Sequence, residues 1–164
     1  MRRTLVALAL AAALLAPGFS SAQLGADHYY SSPTVTETYA PSTSALVDAN
    51  ERQRNRLVAG IVNALLVRPH PLSFALFSIG EGATELVLVS RREGQFDTPY
   101  RARAMLEVMN VLTHSSRFVS SLGLDDSVGF LDMLHMLGFT GVTISDGASY
   151  THHFMIVVSP DVAE

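Results

Sequence analysis

The sequence predicts an α+β domain: a four-stranded, mainly antiparallel sheet made of two hairpins, with helices packed on one or both faces. Three observations carry this. Two pairs of short apolar segments are each joined by a Gly-containing turn. The stretches before and between those pairs repeat apolar residues at helical spacing. Capping and stop residues fall where such helices should begin and end.

The first helix is expected over Ala45–Val67. Leu57, Ile61, Ala64 and Leu65 recur at i, i+4, i+7 and i+8, and Val58, Val62 and Leu66 widen the stripe. Its first half, with Asp48, Glu51, Arg52, Arg54 and Arg56, reads as solvated. Arg68-Pro69-His70-Pro71 stops it, since a proline disfavours helical geometry in the residue before it.

Phe74–Ile79 and Glu85–Ser90 follow as strands, linked by Gly80-Glu81-Gly82-Ala83-Thr84. Leu86 and Leu88 lie on one side of the second strand and Val87 and Val89 on the other, which suggests cover on both faces. Thr98-Pro99 then forms a helix start, with Thr98 as N-cap and Pro99 at the first helical position. That helix runs to about His114 and buries Met105, Val108, Met109 and Leu112. Ser115–Leu124 reads as a short helix or turn ending near Gly123. Asp125 or Asp126 is expected to cap a helix over Ser127–Leu137, closed by Gly138. The last hairpin pairs Gly141–Ser145 with Tyr150–Val158 through Asp146-Gly147-Ala148-Ser149. The Ala45–Val67 helix could cover one sheet face and the later helices the other. If it does not, an apolar face remains as a surface for a protein partner or a homodimer.

Before the domain lie two segments of different character. Arg2 and Arg3 precede an apolar run, Leu5–Ala16, then Pro17-Gly18 and the small residues Ser20-Ser21-Ala22. This three-part pattern is that of a secretory signal peptide over residues 1–22. The apolar run is shorter than the roughly 20 residues of a membrane span, so no stable span is expected after cleavage. Export, to a periplasm or the medium, follows from this reading. Residues 23–44 contain ten Ser, Thr or Pro and few apolar groups, and are expected to be a disordered linker. Residues 45–164 then form a single domain.

The chain carries a formal net charge of −4, or −6 once Arg2 and Arg3 are removed with the leader. That balance argues against a nucleic-acid partner. With no cysteine, no disulfide can support the exported fold, which must rest on its core.

No motif for phosphate loops, nucleophile elbows or helical zinc sites is present. The histidines are what chemistry could use. His152 and His153 are neighbours in a strand and point to opposite faces, so they cannot share one metal without distortion. A metal site would join one of them to His114, His135, Asp126 or Asp132; Asp132 and His135 sit at i, i+3 on one helix. A triad of Ser145 or Ser149, His152 and Asp146 is crowded into one hairpin tip. The methionines suggest an adaptable core, or a lined pocket for a carried ligand.

The sequence therefore favours a non-enzymatic exported binding or structural module with no cofactor. The alternative is a small metal-assisted hydrolase using His152 or His153.

Overall fold

The structure is a computed structural model, and it describes residues 30–69, 73–92, 94–124 and 127–157. The expected signal peptide, Asp125 and Asp126, and Val158 lie outside the described residues.

Among the described residues the architecture is α+β, with five strands and four α-helices. Strand β1 is Val35–Tyr39, β2 is Phe74–Ile79, β3 is Glu85–Ser90, β4 is Gly141–Ser145 and β5 is Thr151–Ile156. Helix α1 is Glu51–Leu66, α2 is Pro99–His114, α3 is Arg117–Leu122 and α4 is Phe130–Met136. The sheet order is β1-β5-β4-β3-β2.

Both expected hairpins form, since β2–β3 and β4–β5 are antiparallel. The sheet as a whole is corrected from four-stranded and mainly antiparallel to five-stranded and mixed. The hairpins join in parallel through β3 and β4, because the connection between them is a helical crossover. The fifth strand, β1, pairs in parallel with β5. It lies inside the stretch expected as linker, so that expectation fails at residues 35–39.

Helix α1 begins at Glu51 rather than near Ala45. Asn50 caps it, its side chain accepting from the Gln53 amide at 3.1 Å. The residues before it are recruited elsewhere: the Leu46 amide donates to the Met136 carbonyl at the end of α4. Helix α2 starts as expected, Thr98 accepting from the Arg101 amide with Pro99 in the first turn. Helix α4 is shorter than expected, with Gly129 at its N-cap. Gly138 closes it at φ +76°, a conformation few side chains tolerate.

One face of the sheet carries the core. Phe74, Leu86, Leu88, Val142, Ile144, Phe154 and Ile156 pack with Leu57 and Ile61 of α1, Met109 of α2, Val119 of α3 and Leu134 of α4. All four helices thus share that face. On the other, Val87, Thr143, Ser145 and Thr151 are buried at the centre, while Thr36, Ala75 and Met155 are exposed at the margins.

Candidate functional site

The titratable side chains gather in two places along β1. At the first, Glu37 stands on the core-side face beside His152 of β5. Arg103 of α2 reaches down and holds the carboxylate at both oxygens, Nη2 to Oε1 at 2.6 Å and Nε to Oε2 at 3.2 Å. His152 is fully buried, stacked on Phe154 with ring centroids 4.2 Å apart. Its Nδ1 contacts the Tyr150 hydroxyl at 3.0 Å. Its Nε2 lies 2.9 Å from Glu37 Oε1, close enough for electrostatic attraction but without the alignment of a hydrogen bond.

Burial holds the His152 imidazole below its ordinary pKa, with the nearby Glu37 charge opposing that shift. The imidazole is therefore neutral at pH 7. The Arg103 hydrogen bond lowers the Glu37 carboxyl, and burial raises the Tyr150 hydroxyl. A general base needs a free lone pair facing a substrate. Here Nδ1 already faces a phenol whose own proton is held more tightly than usual. The cluster fastens β1 to β5 and α2.

At the second place Asp132 of α4 is buried and gathers three donors from the β1 side: the Tyr39 hydroxyl at 2.9 Å, the Ser42 amide at 2.8 Å and the Ser42 hydroxyl at 3.2 Å. Burial, and then the hydrogen bond to Asp132, push the Tyr39 hydroxyl up to about 12. Asp132 is thus a clamp on residues 39–43.

The other sequence candidates stand apart. His135 is buried on α4, its Nδ1 without a hydrogen-bond partner among the described residues. His114 ends α2, its Nε2 2.9 Å from the Val128 carbonyl. His153 lies on the opposite sheet face from His152, its Nδ1 2.9 Å from the Thr143 hydroxyl. Its ring also lies over Gly141, where a Cβ would come within 2.9 Å of it. Among the described residues no three His, Cys, Asp or Glu side chains gather as a metal-binding group. The hairpin-tip triad does not assemble either. Asp146 accepts from the Ala148 and Tyr150 amides and shapes the turn, and Ser145 hydrogen-bonds within the same hairpin.

A different feature opens between the C-terminal half of α1 and the α2–α3 junction. Gly60, Asn63, Ala64, Val67 and Arg68 form one wall and Ser115–Phe118 the other, around a cleft of about 590 Å³. Gly60 lies where the walls meet: a Cβ there would sit 3.6 Å from those of Ser116 and Phe118, an ordinary contact distance. Among the described residues the cleft lining holds two cationic side chains, Arg68 and Arg117, and no carboxylate or imidazole.

Comparison with known proteins finds no matching family model, no matching curated protein and no matching solved structure. Among the described residues no helix is long and apolar enough to cross a membrane.

Sequence reasoning missed Glu37, Arg103 and Tyr150, which make the His152 environment. It also missed the cleft arginines. Glu37 was hidden in a stretch of linker composition, and its partner His152 is 115 positions away. For Arg68 and Arg117 the usable signal was only their place at helix boundaries, shared by many solvated arginines.

Proposed function

We propose that the chain is an exported, non-enzymatic binding module whose working surface is the cleft between α1 and α3. One contrast carries the reading. Several groups with acid–base or ligand chemistry are committed to internal partners: Glu37 to Arg103, Asp132 to Tyr39 and Ser42, His153 to Thr143. The cleft, by comparison, is roomy and among its described residues carries no general acid, base or activated nucleophile. Such a site can hold a molecule but offers no route for proton transfer. The export half rests on the pattern of Arg2-Arg3, Leu5–Ala16 and Ser20-Ser21-Ala22.

The test is native mass spectrometry of the protein purified from its own source. A chain beginning at Gln23 and carrying a small-molecule adduct supports both halves. Gly60→Leu, which fills the cleft floor, should remove the adduct while circular dichroism stays native. An adduct that survives this change places binding elsewhere. Turnover of a substrate that His152→Ala abolishes would favour an enzyme.

A second reading keeps the sheet face that carries none of the four described helices as a contact with another copy of the chain. Met155 and Val157, 41% and 39% exposed on that face, favour it. The strand residues there include one formal charge, Glu85, which suits self-association of an acidic chain. Met155→Asp should then shift sedimentation from dimer to monomer; a wild-type monomer at all concentrations rules the reading out. Val87 cannot serve as the probe, because it is fully buried and would report folding instead.

A further inference from the structure

We infer that the α1–α3 cleft recognises a small organic oxyanion, a phosphate or carboxylate carried on an apolar body, through Arg68 and Arg117; this rests on the cleft being the binding surface. The charge distribution is the first argument. In a chain of net charge −4, the described lining of this cleft holds two guanidinium groups and no acid. At physiological salt the field of distant carboxylates fades within about 8 Å, so a bound anion senses its own lining.

The second argument is what the arginines do elsewhere. Arg54 donates to the carbonyls of Gly82 and Leu137, Arg101 pairs with Asp97, and Arg103 pairs with Glu37. Arg68 and Arg117 make no side-chain hydrogen bond or ion pair among the described residues. Arg52, Arg56, Arg91 and Arg92 are likewise unengaged, but none of them borders this cleft. Two free planar forks on one cavity match the geometry of a phosphate or carboxylate, which each can grip through two oxygens.

The rest of the lining fits the body of such a ligand. Ala64, Val67 and Phe118 offer apolar contact, and Asn63 offers an amide. The Ser116 oxygen accepts from the Val119 amide, which leaves its proton to donate.

A competing role for the arginines is to offset the negative ends of α1 and α2, which finish at Leu66 and His114 near the cleft. That role predicts no ligand selectivity, and calorimetry separates the two. The full chain is titrated with phenyl phosphate, inorganic phosphate and benzyl alcohol, then repeated with Arg68→Gln and Arg117→Gln. Both positions are exposed, so folding is preserved. Phenyl phosphate should bind best and weaken with added salt. Each arginine change should cost about two- to fivefold, the scale of an exposed charge pair.

If benzyl alcohol binds as well and the arginine variants are silent, the anion inference is overturned while a binding cleft remains. If phenyl phosphate binding is unaltered by Gly60→Leu, the cleft itself is overturned. Equal binding of inorganic and phenyl phosphate would overturn the requirement for an apolar body. No binding of any probe would leave the arginines as helix-end charges and refute the inference.

Discussion

Replacing Asp132 by Asn separates a structural clamp from a ligand in waiting. In the native protein one carboxylate accepts from the Tyr39 hydroxyl, the Ser42 amide and the Ser42 hydroxyl. Asparagine keeps one oxygen, which can stay with the Ser42 amide. The two hydroxyls can rotate and accept from the new amide group, which satisfies the amide but takes the carboxylate acceptor from their own protons. What disappears is the charge assistance, about 1 kcal/mol per bond and about 2–3 kcal/mol for the cluster. For a domain of this size the melting temperature should fall by about 6–15 °C. The loss should be local in character. The Thr34 and Val157 amides, which bond across β1 and β5, should exchange faster with solvent. The Tyr39 hydroxyl should titrate below its native value of about 12, since Asp132 helps to raise it. Thermal denaturation, hydrogen exchange and NMR of ring-labelled tyrosine read these three effects. A melting temperature within about 1 °C of native, with Tyr39 titrating unchanged, would refute the clamp and return Asp132 to the pool of free ligands.

Other perturbations test neighbouring parts of the account. The folded pKa of His152 lies below its ordinary 6.5 and that of Glu37 below its ordinary 4.5, so in both cases the unfolded chain binds protons first as pH falls. Stability should therefore decline as pH drops below 6.5 through the His152 window, and again below 4.5 through the Glu37 window. His152→Gln should flatten the upper window in urea titrations at each pH, and an unchanged profile would contradict the burial argument. Arg54→Met strands the Gly82 and Leu137 carbonyls and should cost about 2–4 kcal/mol by denaturant unfolding; a cost under about 0.5 kcal/mol would mean water replaces the guanidinium freely. Gly60→Ala should stabilise by about 0.5–1 kcal/mol, because its Cβ meets nothing closer than 3.6 Å; destabilisation would show that the walls touch more tightly than described.

Much of the fold was legible because its signals are local. Thr98-Pro99, the Gly80–Thr84 loop and Asp146-Gly147 each act within a few residues, and the elements they bound form where expected. The orientation of one hairpin against the other was not local. It depends on how the crossover through α2–α4 returns to the sheet, and no single turn encodes that. Strand β1 was illegible for another reason. Val35-Thr36-Glu37-Thr38-Tyr39 alternates correctly, but its inward residues include a glutamate and a tyrosine that only become satisfied by Arg103 and Asp132. Composition alone therefore reads it as solvated. The site candidates suffered similarly. The i, i+3 spacing of Asp132 and His135 is real, yet Asp132 is occupied by β1. The opposite facing of His152 and His153 was correctly implied by strand geometry, and the structure uses one on each face.

The most direct test of the binding-module account maps where a ligand lands. Amide chemical shifts of the isotopically labelled protein would be followed during addition of phenyl phosphate. The account predicts saturable shifts at Gly60, Asn63, Ser116 and Phe118, with Glu37, Tyr150 and His152 unmoved. Shifts centred on Tyr150 and His152 instead would contradict it and make the β1–β5 cluster the functional site.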